Sequence, residues 1–255
     1  MALELPTTIS ATIRRDPKVF LLYGPPKNGK TTVVSKLPGC LIIDVEDGSD
    51  YVSCLKIKCK DRGEFDSVCG LIKAKGRPYK YIAIDTVDKI EEWAEVDATA
   101  KYKTTIQGKN FTGSSVLNLP NGGGYLFLRQ SFNDYFNKIA ALADHVILIG
   151  HIRDKMIESA GKEVSAKDLD LTGKIKAIVC AKADAIGYIY RSGKGGENTT
   201  LTFETNETVL CGSRCDHLKG KRFEFTGGPE SFDWQKIYLD LSTNSGASLL
   251  DSKAE

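Results

Sequence analysis

One short segment near the start of the chain has the residue types and spacing of a phosphate-binding loop. Residues 24–31 are Gly-Pro-Pro-Lys-Asn-Gly-Lys-Thr, a glycine followed by four residues and then Gly-Lys-Thr, between an apolar run and a helical pattern. In this context backbone N–H groups meet phosphate oxygens, Lys30 neutralises the β and γ oxygens, and Thr31 ligates Mg²⁺. We therefore predict ATP and Mg²⁺ as ligands. The predicted nucleotide contacts are Gly24, Pro25, Pro26, Lys27, Asn28, Gly29, Lys30, Thr31 and Thr32.

Carboxylates follow two later apolar runs. Asp85 ends the run at 81–85, where a P-loop NTPase has its second Mg²⁺-organising carboxylate, although an aspartate before a helix is also a good N-cap. Glu46 follows the run at 40–45 and can orient or deprotonate an attacking water. Asp44 and Asp47 are close competitors for that role, and each of the three acids can equally be a solvated turn residue.

The elements that must position these residues alternate along the first part of the chain. Continuous apolar runs predict buried strands, and periodic patterns between them predict helices. The later segments alternate apolar and polar residues, as antiparallel strands do. Predicted strands cover 19–23, 40–45, 81–85, 145–150, 185–190, 200–204 and 221–225, and predicted helices cover 31–37, 64–75, 87–100, 126–142 and 174–183. We expect a mainly parallel sheet flanked by helices, with an antiparallel edge near the C-terminus.

Composition sets broad limits. The chain has 255 residues, 41% apolar and 27% charged, which suits one globular domain. Its seven cysteines lack a Cys-x-x-Cys pair and suggest reduced thiols rather than a disulfide framework. No run approaches 18 apolar residues and the first residues do not resemble a secretory signal, so we expect a cytoplasmic protein with no membrane partner.

Charge of one sign marks the middle of the chain. Residues 98–133 contain four basic residues, five glycines and no acid, a composition that predicts a mobile basic loop. A charged linker is predicted at 153–172. A net charge of +2 is too small to indicate nucleic acid by itself.

Four of these segments, in this order, resemble RecA-like ATPases. They are the P-loop, the segment 40–48, the strand 81–86 and the strand 146–151. More specifically, the chain is similar to the phage-encoded, core-only AAA-type ATPases of the RecA/RadA group, some of which act as single-strand annealing recombinases. The similarity covers roughly 18–238 and includes the late segments 212–214 and 234–237. It implies an α/β, RecA-like P-loop NTPase fold.

The resemblance also implies roles for individual residues. Glu46 corresponds to the catalytic glutamate and Asp85 to the Mg²⁺-organising aspartate, and His151 stands where RecA has a glutamine that senses the γ-phosphate. Arg214, with Arg191 and Lys194 behind it, is the candidate for positive charge supplied by a neighbouring subunit. Segments 101–125 and 153–173 correspond to the two DNA-facing loops. The predicted DNA contacts are Lys101, Tyr102, Lys103, Lys109 and Phe111, as cations for phosphates and rings for base stacking.

The function implied is that of a Mg²⁺-dependent ATPase that assembles on single-stranded DNA as a ring or filament and supports annealing or strand exchange. Implied partners are single-stranded DNA, further copies of the chain and a single-stranded-DNA-binding protein, in the cytoplasm of a phage-infected bacterial host. A P-loop small-molecule kinase and a nucleotide-switched module of the helicase-loader type remain alternatives. The predicted organisation is a lead at 1–17, an ATPase core at 18–240 and a disordered tail at 241–255.

Overall fold

The computed structural model describes residue 5 and residues 7–159 and 162–241. The predicted tail lies outside these residues apart from Leu241, and the predicted lead lies only partly within them. Five α-helices are described, and none of them is long and apolar enough to cross a membrane. They are α1 (Lys30–Ser35), α2 (Arg62–Ala74), α3 (Val87–Lys103), α4 (Gly124–Ala140) and α5 (Gly173–Lys182).

Nine of the eleven described strands form one sheet, in the order β11-β9-β8-β1-β5-β4-β2-β3 with β10 paired to β8. The strands are β1 (Val19–Tyr23), β2 (Cys40–Asp44), β3 (Leu55–Lys58), β4 (Tyr81–Asp85), β5 (His145–Gly150), β6 (Ile152–Ser159), β7 (Lys162–Leu169), β8 (Ala185–Ser192), β9 (Asn198–Thr202), β10 (Gly212–Ser213) and β11 (Arg222–Phe225). All pairings from β3 to β8 through the centre are parallel, and those of β9, β10 and β11 are antiparallel. The predicted mainly parallel sheet with an antiparallel edge is confirmed.

Both faces of the sheet are covered, as the alternation along β1 illustrates. Val19, Leu21 and Tyr23 belong to a core shared with α2, α3, α4 and α5. Phe20 and Leu22 point the other way, into a core shared with α1 and the C-terminal segment 228–241. Since β1 is buried on both faces, a continuous apolar run is what its position requires.

The prediction of a linker at 153–172 is wrong, because most of this segment forms strands. Strands β6 and β7 pair there as an antiparallel hairpin, separate from the main sheet and directly after β5. A hairpin outside the sheet buries little apolar surface, so its sequence carries many charges and hides the strand pattern. The edge strand β3 was missed for a similar reason, because Lys56 and Lys58 alternate with its apolar residues.

The glycine-rich stretch is a packed segment rather than a free loop. Its first residues complete α3, and the rest forms turns and two short 3₁₀ helices, Val116–Asn118 and Pro120–Gly122, against α3 and α4. A Cβ on Gly108 would lie 1.9 Å from the Tyr102 carbonyl oxygen, and one on Gly124 would lie 1.9 Å from that of Val116. These glycines allow close backbone approach, which is a packing requirement.

Candidate nucleotide-binding site

The P-loop joins β1 to α1 at the edge of the sheet where the parallel strands end. A Cβ on Gly24 would lie 2.1 Å from the Ile189 carbonyl oxygen of β8, so only glycine fits there. Gly29 has φ +83° and packs against Pro229 of the C-terminal segment. Glycine is therefore required at position 24 by a close backbone approach and at position 29 by a left-handed conformation.

The Lys30 side chain is hydrogen-bonded to the backbone of the P-loop. Its ammonium donates hydrogen bonds to the carbonyl oxygens of Gly24 and Pro25, each at 2.9 Å, and the residue is 6% exposed. Burial lowers the pKa of Lys30, while the nearby carboxylates of Asp85, Asp88 and Glu46 oppose that shift. A buried ammonium surrounded by acids and carbonyls is suited to meeting the charge of a phosphate chain.

The two predicted Mg²⁺ ligands lie side by side. The Thr31 hydroxyl donates to Asp85 Oδ2 at 2.6 Å, although the two residues are 54 positions apart in sequence. Burial raises the pKa of Asp85 to about 6, against the hydrogen bond from Thr31, which lowers it. Asp85 does not cap α3, because Thr86 is the N-cap residue and makes no side-chain capping bond. A hydroxyl and a carboxylate form the all-oxygen donor pair that Mg²⁺ prefers.

The three competing acids near β2 have different environments. Asp44 is buried and accepts hydrogen bonds from the backbone N–H groups of Glu46, Gly48 and Ser49 and from the Ser49 hydroxyl, so it organises the turn. Burial opposes its ionisation, but these bonds lower its pKa overall. Asp47 pairs with Lys58 at 2.5 Å. Both aspartates therefore have partners in the turn or on β3.

Glu46 instead points toward the ends of β4 and β5. Its Oε1 accepts a hydrogen bond from the Thr86 hydroxyl at 2.6 Å, and its Oε2 lies 4.0 Å from His151 Nε2. The side chain is 36% exposed, in contrast to the buried Asp44. Its carboxylate is thus held at one oxygen and open at the other.

His151 has a partner that the sequence analysis missed. Asp88, in the first turn of α3, accepts a hydrogen bond from the His151 backbone N–H at 3.2 Å and lies 3.1 Å from Nδ1 of the ring. Hydrogen bonding to Asp88 raises the pKa of His151, although partial burial opposes the shift. One ligand-type atom from each of Glu46, Asp88 and His151 lies within 4.8 Å of the others, the only group of three His, Cys, Asp or Glu residues with such spacing in the described residues. The only sequence signal was the position of Asp88, three residues after Asp85 and at the start of the predicted helix 87–100.

Comparison with known proteins agrees with this arrangement. The sequence model of the AAA domain family matches residues 16–215, more than half of the chain. The chain belongs to the AAA domain family. With the loop and sheet described above, this membership indicates a P-loop NTPase domain, and nucleotide binding at residues 24–31 stays a prediction.

This AAA domain was also compared with solved structures and with curated proteins. Among solved structures, the crystal structure of the RadB recombinase is similar with a TM-score of 0.46 and 13% identity, over 85% of this chain and 90% of that one. No curated protein matches the sequence.

Arg214 of the AAA domain lies near the amino ends of the parallel strands, whereas the P-loop lies at their carboxyl ends. Its guanidinium donates to the Ala181 carbonyl oxygen at 2.5 Å and lies 3.5 Å from Asp184, which in turn accepts hydrogen bonds from the backbone at Lys18 and Val19 where β1 begins. An action of Arg214 on a neighbouring subunit's nucleotide stays a prediction.

The two other candidates for a cation supplied by a neighbouring subunit, Arg191 and Lys194, lie at the end of the sheet where the P-loop lies. Arg191 is near the end of β8 and donates to the Thr199 hydroxyl at 3.1 Å, and Lys194 follows in the turn before β9. A Cβ on Gly228 would lie 2.5 Å from an Arg191 nitrogen, and the next residue, Pro229, packs against the P-loop. The structure therefore brings Arg191 and Lys194, rather than Arg214, to the end of the sheet where the P-loop lies.

The predicted DNA contacts are split between packed and open side chains. Lys101 pairs with Asp134 of α4 at 2.6 Å. The Tyr102 ring meets the rings of Phe111 and Phe127 edge to face, each with a centroid distance of 5.3 Å. Lys101, Tyr102 and Phe111 thus have contacts within the domain, so a stacking or phosphate role for them would require rearrangement.

Lys103 and Lys109 differ from these three residues. Among the described residues neither has an ion-pair partner, and Lys103 lies over the Phe111 ring at 5.9 Å. In the hairpin that forms most of the second predicted DNA segment, Lys167 pairs with Asp154, so part of its positive charge is also neutralised within the domain.

Proposed function

We propose that this AAA domain protein is a Mg²⁺-dependent ATP hydrolase that acts on single-stranded DNA in recombination. The observation that carries the ATPase part is the meeting of Lys30, the Thr31–Asp85 pair and Glu46 at one edge of the sheet. These residues come from three different segments of the chain. A purely structural role would not require a lysine suited to binding phosphate, a pair of oxygen ligands for a metal ion and a partly exposed carboxylate in one place.

In the proposed reaction, Glu46 takes a proton from the water that attacks the γ-phosphorus, and the bond from that phosphorus to the β–γ bridging oxygen breaks, so that ADP and phosphate are released. The Thr86 hydroxyl holds Oε1 and so directs Oε2 toward the reacting side. Lys30 exchanges its two carbonyl partners for phosphate oxygens and offsets their charge. Thr31 and Asp85 would hold Mg²⁺, which would supply positive charge for the phosphate chain.

The primary test is the rate of phosphate release from ATP with and without Mg²⁺ and single-stranded DNA. Nucleosides and nucleotides are supplied separately as phosphate acceptors, so that kinase activity is detected if present. Lys30→Ala is expected to abolish nucleotide binding, because the loop amides alone do not neutralise a triphosphate. Unchanged ATP affinity in that variant, or phosphate transfer to an acceptor, would refute the proposed ATPase.

The DNA part of the proposal has narrower support. It rests on the unpaired ammonium groups of Lys103 and Lys109 and on the resemblance of the chain to annealing recombinases. Binding to phosphates releases counterions, so each contact contributes about 0.7 to the slope of log affinity against log salt on single strands. Because Lys101 already has a carboxylate partner, we expect Lys103 and Lys109 to contribute most of that slope.

The corresponding test compares salt dependence of single-stranded DNA binding, with and without ATP, across variants. Lys103→Ala with Lys109→Ala should flatten the slope by about 1.4, and addition of Lys101→Ala should change it little further. Phe111→Ala should cost about 1–3 kcal/mol if a base displaces Tyr102 from that ring. An unchanged slope in the triple variant, with ATP binding intact, excludes this segment as the DNA site.

We also propose that the ATPase works as a homo-oligomer in which a neighbour supplies a cation. Glu46→Gln subunits mixed with Arg191→Ala subunits should recover turnover, because some interfaces then join an intact Glu46 to an intact Arg191. The same mixture with Arg214→Ala compares the two arginines directly. No recovery in either mixture, once co-assembly is shown, would refute a shared site.

A further inference from the structure

The His151 side chain is held by one residue. Both hydrogen bonds from His151 to Asp88, from the backbone N–H and from Nδ1, converge on the same oxygen, Oδ2. The second oxygen, Oδ1, is buried and has no hydrogen-bond partner within the described part of the chain. Asp88 is 19% exposed and belongs to the first turn of α3, so its own position is fixed by a helix rather than a loop.

This contact determines which ring nitrogen faces the site. An imidazole that donates Nδ1–H to a carboxylate carries its neutral-form proton on Nδ1, so Nε2 then has only a lone pair. Nε2 is the atom directed to Glu46, at 4.0 Å from Oε2. A neutral ring in this orientation cannot donate to a phosphate oxygen, whereas the charged ring carries a second N–H at Nε2 and can.

We propose that Asp88 is a positioning residue that holds His151 through Nδ1 and keeps the charged ring available, so that Nε2–H meets the γ-phosphate. The inference rests on the proposed ATPase function for its consequence but not for its geometry. The assignment explains how a histidine can replace a glutamine, which would donate an amide N–H. The Asp88 carboxylate at Nδ1 stabilises the imidazolium, and the imidazolium carries an N–H at Nε2 that can be donated.

The charged groups around the ring support this assignment. Asp88 on α3 and Glu46 after β2 both favour the imidazolium, and Lys30 on α1 opposes it. The pKa of His151 is raised on balance, with the hydrogen bond to Asp88 as the largest cause. Bound ATP would add negative charge on the same side and favour the cation further.

The first test needs no nucleotide. ¹⁵N-resolved NMR of the ring nitrogens, in a chain with only three histidines, gives the tautomer and the pKa of His151 directly. We expect the wild-type neutral form to carry its proton on Nδ1. Asp88→Asn keeps an oxygen that can accept this bond but removes the charge, so the pKa should fall by about 1 unit or more. Glu92→Gln, which removes an exposed acid paired with Lys89 on the same helix, should leave the pKa unchanged. An unchanged tautomer and pKa in both Asp88→Asn and Asp88→Ala would overturn the proposal.

The second test uses turnover. If the cation is needed, kcat falls as pH rises through the His151 pKa, and Asp88→Asn moves that fall to lower pH. In His151→Gln the amide donates without a charge, so adding Asp88→Asn should cost little there, and a double-mutant cycle isolates the coupling. Equal losses from Asp88→Asn in both backgrounds would overturn the positioning role. The expected NMR result with no hydrolysis in the wild type would instead refute the proposed function alone.

Discussion

Replacement of Glu46 by glutamine tests the proposed reaction with the least structural disturbance. The amide oxygen can still accept the Thr86 hydroxyl, which now lies 2.6 Å from Oε1, so the side chain should keep its position. Only the charge and the basicity are lost. Because a general base typically contributes a factor of 10² to 10⁴, we expect kcat to fall by that factor, equivalent to about 2.7–5.4 kcal/mol in the activation barrier.

The assay measures steady-state phosphate release together with the Kd of ATP in the presence of Mg²⁺. Affinity should stay within a few-fold of wild type, since Lys30, Thr31 and Asp85 are untouched. Asp47→Asn is the matched control, because it removes the same charge one residue away from a side chain that pairs with Lys58. Turnover within threefold of wild type in Glu46→Gln, or an equal loss in Asp47→Asn, would show that the base is elsewhere.

Three further substitutions test the framework around the site. Trp234→Phe removes the indole N–H that donates to the Val33 carbonyl oxygen at 2.8 Å, an oxygen that also accepts the Lys36 backbone N–H at 3.1 Å, so the loss of one buried hydrogen bond should lower the free energy of unfolding by about 0.5–1.5 kcal/mol. Gly24→Ala should lower both stability, by about 1–3 kcal/mol, and ATP affinity, because its Cβ would lie 2.1 Å from a carbonyl oxygen; Gly48→Ala should do neither. Asp44→Asn should destabilise the turn by about 1–3 kcal/mol at pH 7. Since the pKa of Asp44 is lowered by folding, its stabilisation is present above about pH 3.9 and is lost as pH falls through the folded-state pKa, so the variant and wild type should converge there.

Urea unfolding at several pH values measures all three effects. Tyr51→Phe, at a fully exposed ring, serves as the control for Trp234→Phe. A Gly24→Ala protein with unchanged ATP affinity would mean that β8 moves freely away from the loop. A stability difference for Asp44→Asn that does not shrink as pH falls below about 3.9 would show that hydrogen-bond geometry, not the carboxylate charge, stabilises the turn.

The sequence by itself determined the parts of this protein whose signals are local. The P-loop pattern depends on contiguous residues, so it was recognisable without any fold. The strands β1, β2, β4 and β5 were found with nearly their observed bounds, because burial on both faces demands uninterrupted apolar runs. The positions of Glu46 and Asp85 after apolar runs indicated carboxylates near the loop, whereas His151 was grouped with them only by the resemblance to RecA-like ATPases.

Tertiary structure decided what no local pattern encodes. Asp44, Glu46 and Asp47 are equivalent in sequence, and only hydrogen bonds to Ser49, Thr86 and Lys58 separate a turn organiser, an open carboxylate and an ion-pair partner. Those contacts depend on how the turn after β2 folds against β3 and β4. Spacing along the chain contains no information on which oxygen meets which donor.

The basic stretch and the arginines show the same limit at longer range. Glycines at 108 and 124 suggested mobility, but the neighbours that make glycine necessary come from α3 and from the 3₁₀ helix at 116–118. Arg191 follows the predicted strand 185–190 and Arg214 lies between the predicted strands 200–204 and 221–225, yet strand direction in the sheet puts the two arginines at opposite ends of the parallel strands. Asp88 became visible only when β5 brought His151 beside the first turn of α3, a contact between residues 63 positions apart. Packing in three dimensions creates these neighbours, and a single sequence records them only as isolated residues.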